Sequence, residues 1–462
     1  MERHLANQVP QKIGQIQAAP EGFLTADDLS KAKTARSSFM AKALAIGAGV
    51  GVSAAAIARG NSNSPSSAAQ TQTAGEDAIL KLPAHSTTLG MAVATTPYGL
   101  PSQWEKNVQR RESPGLTRVP QASVSFTPLQ SLFGIITPAG LHFERHHQGW
   151  HDIDPRGHRL MINGLVKAAR VFNMDELMRL PSVSRIHFIE CGANTGAEWA
   201  NVALPTVQYT HGMLSCSEFT GVLLSTLLEM CGYDKKRGKY VLAEGADGSS
   251  MTRTISIERA MDDVLVAWAM NGEMLRPENG YPLRLVVPGV QGVSWVKYLR
   301  RLEVGDERYD TKDETLHYID LMPDGTHRQY TSIQECKSVI TTPSGGQILL
   351  DKGYYNVTGL AWSGRGKIKR VDVSVDGGRN WKTARLETPI LSKALSRFNF
   401  DWVWDGSIAI LQSRAIDETG YVQPQINQLR AVRGSKSIYH NNAIQSWKVD
   451  VNGEVSNVQV KA

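Results

Sequence analysis

The sequence predicts an α+β fold in which a mixed α/β domain is followed by an antiparallel β-sandwich. Its 462 residues are enough for two or three domains with complete hydrophobic cores. In the middle of the chain, short apolar runs alternate with segments of helical period. After Cys336 the pattern changes to short strands with period-two alternation, which is typical of a sandwich.

The composition is ordinary for a globular protein, with 41% hydrophobic residues, 20% charged residues and a net charge of +6. No Lys/Arg-rich block is present, so nucleic acid is not predicted as a partner, and the mildly basic balance favours an anionic substrate or cofactor or an acidic partner. The four cysteines contain no Cys-x-x-Cys pair and no Cys-x-x-Cys-His motif. The sequence therefore predicts no disulfide framework, zinc ribbon or iron–sulfur cluster, and no c-type haem on this chain.

Residues 1–58 are predicted to be an export signal. Arg36 precedes an Ala-, Gly- and Val-rich run from Ala41 to Ala58 that suits a signal better than a stable membrane span. The arrangement resembles a twin-arginine signal in which Ser37 occupies the second arginine position, and it predicts a periplasmic protein that is exported folded. The alternative is a weakly amphipathic helix of the mature protein.

Residues 59–116 are predicted to be an extended segment, because they are rich in Ser, Pro and other linker residues. The first domain is predicted to cover residues 117–335. Five of the twelve histidines lie between His142 and His158, a density that suggests a metal site. No two of them have the spacing of a helical zinc motif, so a dedicated metal site is not predicted there.

A lone cysteine stands at the centre of this domain. The apolar run from Ile186 to Ile189 predicts a buried strand, which ends in a small-residue loop from Glu190 to Asn194. Loops at strand ends often present chemistry, and Cys191 lies at the mouth of this one. On spacing alone, a lone cysteine is most often a small core residue, so both interpretations stay open.

Two helices are predicted around this loop. The segment from Met174 to Pro181 is closed by its proline, and the segment from about Gly221 to Cys231 has leucines at helical spacing. Cys231 belongs to that apolar stripe and is predicted to be a core residue. A core position is also favoured for Cys216. Upstream, the segment from Leu160 to Gly164 predicts a strand.

Two segments resemble the sulfite oxidase family of molybdenum enzymes, and within it most closely the SoxC-type molybdenum subunit of sulfane dehydrogenase. The first runs from Phe188 to Asn194 and continues at Gly212 to Val222. The second runs from Val264 to Asn271 and continues at Gly280 to Gly289. The resemblance implies a sulfite-oxidase-type molybdopterin domain, with molybdenum held by one pyranopterin and by the thiolate of Cys191.

Phe143 to His147 is similar to the family motif Phe-x-Arg-Asn-His, with His146 in place of the asparagine. The resemblance implies that Arg145 reaches the substrate anion and that His147 lies beside the cofactor.

The same resemblance implies that Arg284 and Lys297 bind the terminal phosphate of the pterin, which needs a bidentate guanidinium and a point-charge ammonium. Asn279 stands where the animal enzymes have a histidine, and it can still donate a hydrogen bond. Tyr318 lies at the distance from Lys297 at which the family places its active-site tyrosine. The alternative for Tyr318 is a surface aromatic on a loop.

Residues 336–462 resemble the immunoglobulin-like dimerisation domain of the family, which implies a homodimer. The alternation from Ile368 to Val375 is followed by Asp376-Gly377-Gly378, a hairpin-turn sequence. In relatives, an arginine from this domain approaches the active site, and Arg433 is the candidate here.

The resemblance implies oxidation of a sulfane sulfur carried on a partner protein, with electrons passing to a c-type cytochrome subunit. The alternatives are a sulfite dehydrogenase acting on free sulfite and a non-catalytic assembly subunit that kept the fold. Sulfite-oxidising relatives have an arginine five residues after the ligand cysteine, where this chain has Gly196, and the nearest aromatic to an expected tryptophan is Tyr209. Loss of a guanidinium weakens the binding of a free dianion by about 1–3 kcal/mol, which favours the carrier-bound substrate.

Overall fold

The computed structural model describes residues 16–17, 83–93, 95–113, 119–200, 202–315, 317–322, 324–329, 333–434 and 437–459. Apart from Ile16–Gln17, the predicted export signal lies outside the described residues, as does much of the predicted extended segment. The chain divides into two compact units, residues 40–107 and residues 1–39 with 108–462. In the smaller unit, the described residues form two short 3-10 helices, Ala84–Ser86 and Gln103–Glu105.

The helices of the larger unit are short. Its described α-helices are Met174–Met178, Val207–His211, Leu224–Cys231, Ile257–Ala260, Lys312–Thr315 and Ile426–Arg433. Its described 3-10 helices are Pro120–Ala122, Leu129–Ser131, Ala139–Leu141, Gly196–Ala200, Pro277–Asn279 and Gly292–Ser294. Among the described residues, none of the helices has both the length and the apolar character to cross a lipid bilayer.

Both helices predicted around the central loop are present, but one begins later than predicted. The helix Met174–Met178 starts with a capping box in which Asn173 and Glu176 bond each other's main-chain N–H groups. The second helix begins at Leu224 and not near Gly221, because residues 214–223 continue a strand. A Cβ atom at Gly221 would lie 2.2 Å from the carbonyl oxygen of Val266, so the glycine permits close pairing with the neighbouring strand.

Two five-stranded sheets form the first domain. The outer sheet has the order Thr252–Ser256, Tyr240–Gly245, Leu299–Gly305, Leu160–Gly164, Arg170–Phe172, and only its third and fourth strands are parallel. The inner sheet has the order Glu273–Met274, Leu265–Met270, Leu214–Leu223, Val183–Glu190, and Arg284–Val286 also pairs with its second strand. The strands predicted at 160–164 and 186–189 are confirmed.

Three further small sheets are present among the described residues. They are Arg111–Glu112 with Val124–Phe126 and Glu144–Arg145, Ile319–Leu321 with His327–Gln329, and Ile16–Gln17 with Ile348–Leu349.

The C-terminal residues form the predicted antiparallel sandwich, so the α+β fold class is confirmed. One sheet has the order Lys337–Thr342, Gly353–Trp362, Ser396–Trp404, Arg385–Leu386. The other has the order Lys382–Thr383, Ile368–Ser374, Ala409–Asp417, Ser446–Val449, Val455–Val458. Large side chains fill the space between the sheets, including Trp362, Phe398 and Trp447, which are fully buried.

The strand Val183–Glu190 lies between two hydrophobic cores. Because side chains alternate along a strand, Ile189 packs into the core of the first domain and Phe188 into the core of the sandwich. Burial on both faces fixes the end of this strand, where Cys191 follows. The sandwich therefore supports the candidate site directly. Cys216 and Cys231 are both buried core residues, as predicted.

Candidate active site

Seven of the eight site residues predicted from the sequence line one cleft. They are Arg145, His147, Cys191, Asn279, Arg284, Lys297 and Tyr318. The cleft has a volume of about 770 Å³, including the space open to solvent at its mouth, which is within the range of cofactor sites. The eighth residue, Arg433, does not line it.

Cys191 follows the last residue of its strand and is buried. Its main-chain N–H donates to the carbonyl of Met213 at 3.0 Å, and its carbonyl accepts from the N–H of Asn194 at 2.9 Å. We call residues 191–196 the cysteine loop. Burial raises the pKa of the Cys191 thiol, and the charge of Arg145 opposes that effect only in part. A cation bound at Sγ would displace the thiol proton and stabilise the thiolate.

The buried carboxylate of Glu190 is hydrogen-bonded to the cysteine loop. Glu190 accepts hydrogen bonds from Lys337 Nζ at 2.9 Å, Asn194 Nδ2 at 3.0 Å and Trp362 Nε1 at 2.8 Å. Lys337 Nζ also donates to Thr195 Oγ1 at 2.9 Å. The charged groups of Glu190 and Lys337 are 4% and 3% exposed, and Lys337 belongs to the sandwich. Both domains therefore fix the loop that carries Cys191.

Arg284 is a buried cation without a carboxylate partner among the described residues. It is 3% exposed, and its guanidinium donates to the carbonyls of Asn279 at 2.8 Å and Trp295 at 3.3 Å. Its Nε and the Oδ1 of Asn279 are buried without a hydrogen-bond partner. Burial lowers the pKa of Arg284 to about 10. A buried cation is unfavourable unless it is paired, so this arrangement fits a bound anion.

Lys297 supplies a second cation to the cleft. Its Nζ donates to the carbonyl of Glu278 at 3.2 Å and to Nδ1 of His146 at 2.8 Å. The ring of His146 therefore carries its proton on Nε2, which lies 3.2 Å from an oxygen of Glu144. Burial lowers the pKa of Lys297 to about 7. A phosphate at this position would restore the charged form by pairing with it.

In the cofactor-free protein, Lys297→Met is expected to increase stability most at low pH. The folded-state pKa of about 7 lies below the ordinary value of 10.5, so the unfolded state binds more protons between these values and stability rises with pH there. Below this window the buried ammonium is fully charged, and the gain on its removal is largest; above it the gain disappears. Urea unfolding at about pH 6 and about pH 9 measures the gain.

The control for this prediction is Lys235→Met, which removes an exposed lysine paired with Glu229. It should show no comparable dependence on pH. An equal effect of Lys297→Met at both pH values would contradict the stated cause.

The remaining predicted residues, Arg145, His147 and Tyr318, also line the cleft. Arg145 and His147 are half-buried, and burial together with the charge of Arg145 lowers the pKa of His147 to about 4, so its ring is neutral. Tyr318 is only 7% exposed, which excludes the surface-aromatic alternative. Its backbone is in the left-handed region, with φ of 56°, and burial raises the pKa of its hydroxyl, which is therefore protonated.

Arg433 lies behind the cysteine loop and not in the cleft. It is 3% exposed and donates to Glu335 at 3.4 Å, and Glu335 also lies 2.9 Å from Nε2 of His440. Burial opposes ionisation of Glu335, but the hydrogen bond with His440 and the charge of Arg433 lower its pKa to about 2. The main-chain N–H of His440 donates to the carbonyl of Gly192 at 2.7 Å, so Glu335 and His440 connect Arg433 to the cysteine loop.

The sequence did not single out His142, which also lines the cleft. It is 2% exposed, with Nδ1 2.8 Å from the carbonyl of Phe143 and Nε2 without a partner. Burial lowers its pKa to about 3, so the ring is neutral. No sequence signal distinguishes it from its neighbours, because its burial depends on the tertiary structure.

The cleft fits an anionic, metal-carrying cofactor. Within the described residues, no group of three or more His, Cys, Asp or Glu side chains is arranged to hold a metal ion. A metal at Cys191 would need other ligands from a bound molecule, and a dithiolene pterin supplies sulfur. The cations Arg284 and Lys297, and the unpartnered atoms of Arg284, Asn279 and His142, are suited to the polar and phosphate groups of such a molecule.

Comparisons with known proteins agree with this geometry. The family model of the oxidoreductase molybdopterin binding domain matches residues 147–312, and that of the Mo-co oxidoreductase dimerisation domain matches residues 328–447. The crystal structure of the sulfane dehydrogenase SoxCD from Paracoccus pantotrophus is similar over 84% of this chain and 100% of that chain, with 48% identity and a TM-score of 0.82.

Among curated proteins, the mitochondrial sulfite oxidase of Mus musculus is 34% identical over 281 residues, which are 55% of this chain and 50% of that protein. The NADPH nitrate reductase of Phytophthora infestans is 31% identical over 309 residues, which are 60% of this chain and 34% of that protein. The chain thus spans between a third and a half of the length of these curated relatives.

Proposed function

Because the chain belongs to the sulfite oxidase family of molybdenum enzymes, we propose that it is a molybdopterin-dependent sulfane dehydrogenase. The proposed substrate is the sulfane sulfur of a thiosulfate adduct on a carrier protein, and a c-type cytochrome subunit receives the electrons. Each step adds one oxygen from water to the sulfur and releases two electrons and two protons. We further propose a homodimer located in the periplasm, and cell fractionation before and after Arg36→Asp tests that location.

In this proposal Cys191 Sγ is the protein ligand to molybdenum. Arg284 and Lys297 hold the terminal phosphate of the pterin, and Asn279 hydrogen-bonds to it. When bound, the cofactor supplies the two-electron redox chemistry, while the protein orients the substrate and excludes competing reactions. The high pKa of the Cys191 thiol in the protein alone fits this role, because the sulfur becomes a strong donor only when a metal replaces its proton.

Arg145, Tyr318 and His147 bind and orient the substrate in the cleft. Arg145 places a guanidinium in the cleft that offsets negative charge on the oxidised sulfur. The protonated hydroxyl of Tyr318 donates a hydrogen bond to the reacting group. The neutral ring of His147 accepts a proton that the reaction releases.

The observation that carries the substrate choice is the surroundings of Gly196. A Cβ atom there would lie 3.0 Å from the carbonyl oxygen of Ile438, so a carbonyl lies beside the position at which sulfite-oxidising relatives have an arginine. A free sulfite dianion gains no charge-assisted bond at this point. A sulfur that is bound to a carrier protein does not depend on such a bond, because the binding affinity comes from contacts with the surface of the carrier.

The test compares cytochrome reduction with free sulfite and with a thiosulfate-loaded carrier protein. The specificity constant is expected to be at least about tenfold higher for the loaded carrier, which matches the loss of one charge-assisted hydrogen bond to sulfite. The unloaded carrier is the matched control and should give no reduction. A specificity constant for sulfite that equals or exceeds that of the loaded carrier would support the sulfite dehydrogenase alternative. Purified protein that binds no molybdenum would support the assembly-subunit alternative.

Arg284→Met and Lys297→Met are expected to lower cofactor content more than turnover per bound molybdenum. Each leaves a phosphate underpaired in the cleft, which costs roughly 2–5 kcal/mol in binding, or more than tenfold in affinity. Molybdenum and pterin analysis of the purified variants measures this loss. Arg156→Met, which removes an exposed guanidinium paired only with Asp154, is the control. Normal pterin content in both cleft variants would rule out the phosphate role.

A further inference from the structure

A short segment of the sandwich domain is attached along the cysteine loop. We call residues 437–442 the strap. The main-chain N–H of His440 donates to the carbonyl of Gly192 at 2.7 Å. Thr195 Oγ1 donates to the carbonyl of Asn441 at 2.8 Å, and Trp199 Nε1 donates to the carbonyl of Tyr439 at 3.1 Å. The strap and the cysteine loop therefore hold each other in place.

The side chain of His440 also anchors the strap, through contacts with Gln334 and Glu335. Its Nδ1 lies 2.7 Å from Gln334 Oε1 and its Nε2 lies 2.9 Å from Glu335 Oε2, and the residue is 4% exposed. With the strap anchored on both sides, the carbonyl of Ile438 stays close to Gly196, where even a Cβ atom would be in tight contact.

Tyr439, in the middle of the strap, contacts the predicted active-site tyrosine. The rings of Tyr439 and Tyr318 are stacked, with centroids 4.8 Å apart and planes inclined by 30°. The ring of Tyr318 also lies close to the cysteine loop, because a Cβ atom at Gly192 would be 3.7 Å from it. The guanidinium of Arg253 lies 5.4 Å from the centroid of the Tyr318 ring. Stacked aromatic pairs restrain each other's orientation.

We propose that Tyr439 is a positioning residue that acts through Tyr318 and holds its ring in the orientation needed to oxidise the carrier-bound sulfur. The stacked rings of Tyr439 and Tyr318 and the carbonyl of Ile438 all lie beside the cysteine loop. This inference rests on the proposed function and deepens it.

The test compares Tyr439→Ala with Tyr439→Phe, which keeps the ring and loses only the hydroxyl. In Tyr439→Ala, kcat for the loaded carrier is expected to fall roughly threefold to tenfold, the range that corresponds to one lost aromatic stack, while KM changes little. Tyr439→Phe should restore the wild-type kcat. Tyr354→Ala removes a half-buried tyrosine of the sandwich that is remote in sequence from the strap, and it is the control for loss of a tyrosine in general.

A second measurement does not depend on the reaction. In cofactor-free protein, Tyr439→Ala should let the Tyr318 ring move and so increase the rate at which iodoacetamide alkylates Cys191, while Tyr439→Phe should not. If wild-type enzyme oxidises neither substrate, the proposed function fails, but the alkylation rates still test the role of Tyr439. Equal behaviour of Tyr439→Ala and Tyr439→Phe in both measurements would overturn the inference.

Discussion

Cys191→Ser is expected to produce a folded protein with almost no turnover. Loss of an outer partner of a metal ligand already lowers activity by about 10- to 100-fold, and loss of the ligand itself is expected to exceed that. The serine oxygen is a harder donor with a much higher pKa than a thiol, so it does not replace a thiolate at molybdenum. The fold should persist, because the cysteine loop is held by main-chain bonds of Cys191 and by the side chain of Glu190.

Cys231→Ser is the matched control for this prediction. Cys231 is 1% exposed in the hydrophobic core of the first domain and does not line the cleft. Its replacement buries a hydroxyl and should lower stability by about 1–3 kcal/mol without changing turnover per bound molybdenum. Molybdenum analysis, turnover and urea unfolding of both variants separate the two effects. Normal turnover by Cys191→Ser with molybdenum bound would show that the central loop is assigned wrongly.

Local patterns in the sequence predict much of the secondary structure, but they do not predict the contacts between loops that are far apart in the chain. The strand before Cys191 could be predicted because Ile186 to Ile189 is apolar and short. The sequence predicts a helix start near Gly221, earlier than the observed start at Leu224, since the apolar residues before Leu224 suit a buried strand equally well. Strand pairing, which Gly221 permits by lacking a side chain, decided between the two.

The cleft itself could be predicted only through family resemblance. Arg145, Cys191, Arg284 and Tyr318 are far apart in the chain, and no spacing rule brings them together. Arg433 does not line the cleft and bonds to Glu335, so its predicted role in the active site stays a prediction. The strap could not be predicted either, since its contacts with residues 192–199 depend on how the two domains pack.

Lys337→Met is expected to be the most destabilising of the substitutions considered. Its ammonium and the carboxylate of Glu190 form a buried pair 147 positions apart in the sequence. Removing one partner of a buried ion pair leaves an uncompensated charge and typically costs about 3–5 kcal/mol. The N–H groups of Asn194 and Trp362 still bond to the carboxylate and reduce this loss, but they bring no opposite charge.

A double-mutant cycle separates the ion pair from packing. Glu190→Gln with Lys337→Met removes both charges, so the double variant should be destabilised by less than the sum of the single variants, with a coupling of about 0.5–3 kcal/mol. Urea unfolding of the four proteins measures it. The single variants should also bind less molybdenum, because Glu190 and Lys337 hold the loop on either side of Cys191. Additive free energies of unfolding with unchanged metal content would mean that the pair is incidental, and that the sandwich supports the cysteine loop by apolar packing and by the hydrogen bonds of the strap.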